Sequence, residues 1–279
     1  ERIAQVLASE VSIHDPEPGQ GAVSRVAGQG SRVEFRGVYF RYEGGSGDAL
    51  EDISFTAEPG ETTAIIGATG AGKSSLVNLI MRFYDVTQGT VLVDGVDVRD
   101  MGQKELRSRI GYVPQKSILL SGSIGFNLAY GKPDASPDTI RDAAGIAQAM
   151  DFIGESPDAF EALISQGGVN VSGGQRQRLS IARALARDPA LLIFDDSFSA
   201  LDFATDARLR QALQEKRRGT TKIIVAQRVG TIMGAEKIIV LSQGRIIGMG
   251  THEELIRTCA EYAEIAESQF SGEDMGENK

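Results

Sequence analysis

Gly67-Ala68-Thr69-Gly70-Ala71-Gly72-Lys73-Ser74 decides the reading of this chain. It fits G-x-x-x-x-G-K-[ST] in full. Thr62–Ile66 before it is short, apolar and partly β-branched, which predicts a strand. The sequence after it predicts a helix from about Lys73 to Phe83. Strand, glycine loop and helix in that order are the setting in which this pattern binds phosphate. Glycines let the backbone wrap an anion with its N–H groups inward. The helix starting near Gly72 adds the positive end of its dipole. Lys73 then reaches the terminal phosphates, and the Ser74 hydroxyl is a ligand for Mg²⁺.

Phosphoryl chemistry also needs a carboxylate for the metal. Leu191-Leu192-Ile193-Phe194-Asp195 supplies one at the C-terminal end of a buried strand, where doubly wound sheets place ligand-binding residues. Further strands are predicted at Val33–Phe40, with a bulge near Gly37, around Ile53–Phe55, and at Thr90–Val93, Arg109–Val113, Lys222–Val225 and Lys237–Leu241. Between Lys116 and Arg187 the texture is helical. Ser136-Pro137 opens one helix and Gly173 another, which runs through Ala186. Alternating strands and helices predict an α/β fold with a mostly parallel sheet, the helical block being inserted between its halves. Residues 1–30 read as a short amphipathic helix (Ile3, Val6, Leu7) and a Pro/Gly/Ser-rich linker.

Composition bounds the function. The chain has 279 residues, 41% hydrophobic and 24% charged, which is globular. No apolar run approaches the roughly 20 residues of a membrane helix. A net charge of −9 argues against nucleic acid as partner. The single cysteine, Cys259, rules out an internal disulfide and reads as a small apolar residue. His14 and His252 are too few for a His-rich metal site. The start Glu1-Arg2-Ile3 is neither a signal peptide nor an initiator Met, which suggests a chain cut from something longer.

Val171-Ser172-Gly173-Gly174-Gln175-Arg176-Gln177-Arg178 is a second Ser-Gly-Gly helix start, hence a second anion-binding N-terminus. With the phosphate loop it resembles the signature of ATP-binding-cassette (ABC) ATPases, over about residues 31–260. That resemblance implies a RecA-like P-loop NTPase core with a mostly parallel sheet, an antiparallel β subdomain and an inserted helical subdomain. It implies bound MgATP, held by residues 67–74 and Ser75. Tyr42 matches the aromatic that stacks on adenine. Gln115, in Tyr112-Val113-Pro114-Gln115, matches the glutamine that touches Mg²⁺ beside Ser74 and Asp195. Ser172, Gly173, Gly174 and Gln175 serve the ATP of a facing cassette, and Ser199-Ala200-Leu201-Asp202 matches the loop linking the two sites.

Ser121–Leu128 and the lead-in resemble fused exporters. The implied organisation is a lead-in from an absent membrane domain (1–30), the first part of the core with the β subdomain (31–115), the helical subdomain with the signature (116–187), the second part of the core (188–250), and a C-terminal helix with a disordered tail (251–279). Thr251-His252-Glu253-Glu254 predicts that helix's N-cap. Leu255, Tyr262 and Ile265 would face the core, and His252 would stay at the surface. The implied place is the cytoplasmic face of a membrane, as the nucleotide-binding domain of an exporter. An importer ATPase subunit and a fully active homodimeric exporter domain are the alternatives. Cassettes of chromosome proteins would separate the two motifs by a long coiled coil, and ribosome-associated ones would need two cassettes.

Two positions depart from the family pattern. Asp196 stands where the family carries the Glu that orients the attacking water, and its carboxylate falls about 1.5 Å short of that spot. Gln227, in Ile224-Val225-Ala226-Gln227-Arg228, stands where the family carries a histidine at the γ-phosphate. Glutamine cannot exchange a proton at neutral pH. Both changes fall in one ATP site, and a misplacement of about 1 Å can cost roughly 100-fold. The expectation is a site that binds ATP but turns it over slowly, beside an intact signature that completes the site of a non-identical partner cassette. Ser165-Gln166-Gly167-Gly168 also lacks the acidic residue that exporters place before the signature.

Overall fold

A computed structural model describes residues 12–17 and 30–274, with side chains to 270. The lead-in helix expected at Ile3–Leu7 and most of the linker lie outside the described residues.

β1 (Val33–Phe40), β2 (Leu50–Ala57), β4 (Gln88–Val93) and β5 (Val96–Asp97) form an antiparallel sheet in the order β2-β1-β4-β5. The bulge is where the sequence predicts it: register slips between Phe35 and Val38, and Gly37 takes φ 52°. The second sheet contains β3 (Thr62–Ile66), β6 (Ile110–Val113), β9 (Leu191–Asp195), β10 (Thr221–Val225), β11 (Lys237–Ser242) and β12 (Arg245–Gly250). Its order is β12-β11-β3-β10-β9-β6, parallel except for the edge pair β11–β12.

The parallel strands are apolar on both faces because both faces are covered. Along β9, Leu191 and Ile193 join one core with the antiparallel sheet, while Leu192 and Phe194 join the other, against the helical block. α1 (Lys73–Ile80) follows the phosphate loop and packs into the first core, α2 (Gln103–Ser108) precedes β6, and the block itself holds α3 (Ile124–Ala129), α4 (Pro137–Ile146), α5 (Met150–Glu155) and α6 (Gly173–Ala186). α6 packs on α3 and α4 through Leu179, Ala182 and Ala186. α7 (Phe203–Lys216), α8 (Val229–Ile232), α9 (His252–Thr258) and α10 (Ala260–Asp274) complete the chain.

Several boundaries differ from expectation. α1 stops at Ile80 rather than Phe83, because Arg82 turns to φ 49° and its guanidinium donates to Asp85 and the Met101 carbonyl, at 3.0 and 3.1 Å. The C-terminal helix is two helices, broken at Cys259, and the second continues to Asp274 within the stretch expected as tail. His252 is not a bare surface residue: its Nδ1 lies 2.8 Å from the buried Tyr262 hydroxyl and ties α9 to α10. A short pair, β7 (Gly122–Ser123) with β8 (Leu163–Ile164), closes the base of the helical block. Part of the supposed linker is docked. Asp15 Oδ1 accepts from the Gln103 N–H at 2.9 Å, capping α2 from outside, and Arg82 donates to the His14 carbonyl at 2.9 Å.

Candidate functional site

Four adjacent parallel strands, β3, β10, β9 and β6, end at one edge, and each delivers part of the site. β3 runs into the glycine loop, β9 ends in Asp195 and leads to Asp196, β6 leads to Gln115, and β10 leads to Gln227. A cleft of about 320 Å³ is lined by Tyr42, Lys73, Ser74, Gln115, Asp195 and Gln227, with Thr69, Gly70, Gly72, Ser75 and Asp196 among its other walls. That is within the size range of small-ligand sites.

The loop's glycines have separate reasons. A Cβ on Gly67 would sit 2.1 Å from the Leu241 carbonyl oxygen, so β11 leaves no room there. A Cβ on Gly72 (φ 102°) would meet the Ala49 carbonyl and Leu50 at 2.8 Å. Gly70 (φ 85°) has open space where a Cβ would be, so it is needed for backbone shape alone. Ala71 is buried and holds the loop to the core. Lys73 Nζ spans the inside of the loop, donating to the carbonyls of Gly67 and Ala68 at 2.7 and 2.8 Å. Burial pushes its pKa down, opposed by the charges of Asp196 and Asp195.

Asp195 is buried, and that desolvation pushes its pKa up, against the hydrogen bond from Tyr112, whose hydroxyl donates at 3.3 Å. The Tyr112 hydroxyl is itself pushed up to about 12, by burial first and then by Asp195. Asp196 turns to φ 48°, held by its N–H to the Val225 carbonyl at 2.9 Å. Its Oδ2 accepts from Gln115 Nε2 at 3.0 Å and from Gln227 Nε2 at 2.7 Å. Tyr42 stands at the mouth, its hydroxyl 2.9 Å from Ser75 Oγ and its ring edge-on to Phe40 and Tyr84.

The second Ser-Gly-Gly start is formed as well. Ser172 Oγ accepts from the Gln175 N–H at 3.2 Å, and Gln175 Oε1 accepts from the Ser172 N–H at 2.9 Å, a reciprocal capping box at the head of α6. Gly173 stays open and Gly174 packs toward the Ala200 carbonyl. None of residues 172–175 lines the Lys73 cleft. Asp202 Oδ1 accepts from the Thr205 N–H at 2.9 Å and caps α7, which holds its carboxyl below the usual range.

The structure therefore brings Tyr42, Thr69, Gly70, Gly72, Lys73, Ser74, Ser75, Gln115, Asp195, Asp196 and Gln227 into one cleft, and leaves Gly67, Ala68, Ala71, Ser172–Gln175 and Asp202 out of its lining. Sequence reasoning misses Tyr112 as the partner of Asp195, and Ala49 and Val225 as cleft walls. The pairing of β6 with β9, which sets Tyr112 opposite Ile193, is the signal for the first, and it exists only once the strands are ordered.

A family model described as ABC transporter matches residues 50–199, more than half of the chain. The chain belongs to the ABC transporter family. An uncharacterized ABC transporter ATP-binding protein of Mycobacterium tuberculosis (strain ATCC 25618 / H37Rv) is 46% identical over 279 residues, 99% of this chain and 47% of the relative. The beta-(1→2)glucan export ATP-binding/permease protein NdvA of Rhodopseudomonas palustris (strain BisB18) is 45% identical over 256 residues, 92% of this chain and 41% of that protein. The solved structure of a bacterial Atm1-family ABC exporter with ATP bound superposes with a TM-score of 0.89 at 34% identity, over 96% of this chain and 46% of that one. The chain thus spans about half the length of the curated ABC transporters it matches. Among its described residues no helix is long and apolar enough to cross a membrane. The RecA-like P-loop fold expected from the sequence is the ABC ATPase fold of these relatives.

Proposed function

We propose that this ABC chain is the nucleotide-binding domain of an exporter, working at the cytoplasmic face of a membrane with a transmembrane part outside this sequence. Residues 67–75 and Tyr42 would hold ATP. Ser74, Asp195 and Gln115 would hold Mg²⁺, an all-oxygen donor set suited to that hard cation. Bound Mg²⁺ would neutralise charge on the transferred phosphoryl group. Lys73 would leave the carbonyls of Gly67 and Ala68 for the terminal phosphates. The lead-in, β-sheet, helical and C-terminal segments would serve as the subdomains expected from the sequence.

The observation that carries the finer reading is the pairing of Asp196 with two neutral amides. Both amides orient the Asp196 carboxylate, but neither carries a charge for a terminal phosphate or exchanges a proton at neutral pH, as a histidine at 227 would. The shorter Asp196 and the uncharged Gln227 together support a site that binds MgATP and hydrolyses it slowly. The preformed Ser172–Gln175 start supports the other half of the reading. It would complete the ATP site of a second, non-identical cassette carrying Glu and His at the matching positions, with Asp202 and its loop joining the two sites.

Steady-state ATPase of the chain alone, of the Asp196→Glu/Gln227→His variant, and of each mixed with its partner cassette tests this. Slow turnover alone, a rise on restoring both residues, and fast turnover in the mixture are expected. Rapid turnover by the chain alone, unchanged by the two substitutions, would falsify the slow-site reading and favour a homodimeric exporter domain.

A further inference from the structure

α10 reaches back to the turn that carries Gln227. Gln269 Nε2 donates to the Gln227 carbonyl at 2.8 Å, and Gln269 Oε1 accepts from the Val229 N–H at 2.8 Å. One primary amide thereby brackets Arg228 from both sides. Val229 opens α8, whose N-cap residue Arg228 makes no side-chain cap bond, so Gln269 supplies the missing acceptor from another element. Arg228 itself is turned the other way. Its guanidinium donates to the Ser199 carbonyl at 3.3 Å and lies 5.3 Å from the Phe203 ring centroid. Residues 227–229 are thus fastened at three places: to Asp196 in the cleft, to the 199–202 loop, and to α10. α10 is a firm anchor, since Tyr262 and Ala266 are buried in the core that α8 shares through Val229 and Ile232.

We propose that Gln269 is a positioning residue for Gln227, through which the docking of α10 sets how firmly the chain grips the terminal phosphate of ATP. This rests on the reading that Gln227 addresses that phosphate. A primary amide that both donates and accepts fixes the carbonyl of residue 227 and the N–H of residue 229 together, and so fixes where the Gln227 side chain starts. With α10 undocked, both groups lose their partner and the turn is free to rotate. The C-terminal helix then acts as an arm on the ATP site, open to control by whatever holds or lifts it.

The test uses the 279-residue chain and its affinities for MgATP and MgADP by calorimetry, with amide hydrogen exchange at Val229. Gln269→Leu removes both bonds. It is expected to speed exchange at Val229 and to weaken MgATP binding by about two- to tenfold, the worth of one net hydrogen bond. MgADP, which lacks the terminal phosphate, should bind as before. Gln269→Glu keeps the acceptor for Val229 and loses the donor to Gln227, so it should restore slow exchange while the preference for ATP over ADP stays reduced. Faster exchange at Val229 with an unchanged ATP/ADP ratio would overturn the proposal, as would equal losses for both nucleotides. If the unmodified chain shows no preference for ATP over ADP, the reading of Gln227 fails, and the arm with it.

Discussion

Gln227 Nε2 lies 2.7 Å from Oδ2 of Asp196, so the two residues on which the proposed slow turnover rests are joined by one hydrogen bond. A carboxylate accepting from an amide is a stable, proton-conserving pair. Restoring one member alone leaves the other mismatched. Asp196→Glu and Gln227→His together should therefore raise ATPase by about 100-fold, and each alone by much less. Phosphate release from the four members of the double-mutant cycle measures the coupling.

Lys73→Ala should lower MgATP affinity by about ten- to a hundredfold, the worth of a charge-assisted hydrogen bond. Among the described residues, Lys73 Nζ bonds only carbonyls of its own loop. The melting temperature should accordingly change little, which separates lost binding from lost folding. Calorimetric titration and a thermal scan give both numbers.

Gly67 and Gly70 are both loop glycines, yet they should respond differently to alanine. The new Cβ at 67 would lie 2.1 Å from the Leu241 carbonyl oxygen, whereas at 70 it meets nothing. Overpacking of about 3 kcal/mol at Gly67 stands against about 1 kcal/mol of backbone strain at Gly70. Gly67→Ala should depress the melting temperature two to three times as far as Gly70→Ala.

Ser172→Ala removes one arm of the capping box at the head of α6. Helix stability should fall by about 1 kcal/mol. Because Ser172 lies outside the Lys73 cleft, the chain's own MgATP affinity should not move. Turnover of the mixed pair should fall by about 100-fold, the scale for losing one donor at a reacting oxygen. An equal loss of the chain's own affinity would mean that Ser172 serves its own site.

Tyr112 and Tyr262 are pushed from 10.0 up to about 12, in both cases by burial first. The folded chain then holds two protons that the unfolded chain releases earlier. That part of the stability is complete below pH 10.0 and is lost as pH rises toward about 12. Denaturant midpoints across this window should fall, and Tyr262→Phe should flatten the fall. Ultraviolet difference spectra of tyrosinate report when each ring ionises.

Much of this was legible in the sequence where local punctuation is strong. β3 and α6 begin and end where the residues predict, because a β-branched run meets a glycine loop and Ser172 caps a helix with no glycine or proline from Gln175 to Ala186. β12 was not, although Gln243-Gly244 marks a turn with both residues at positive φ. Its Arg245–Gly250 holds Ile246, Ile247 and Met249, but two glycines interrupt them and no residue is buried, so the run reads as broken although it forms an edge strand. Within the site, the residue types were readable but their bonds were not. Asp15 capping α2, Tyr112 meeting Asp195 and Gln269 holding the 227–229 turn each join residues more than 35 apart in the chain. Such contacts follow from the order of strands in the sheet, which no local pattern encodes.

The ammonium of Lys73 already has two acceptors inside its own loop. On the proposed reading, nucleotide entry would be a substitution rather than a capture: two neutral carbonyls would be traded for anionic oxygens, with the tally of Lys73 hydrogen bonds nearly unchanged. What that contact would gain is charge for dipole. A ligand that offered the same shape with uncharged oxygens would find Lys73 satisfied, and the loop would have no reason to let go.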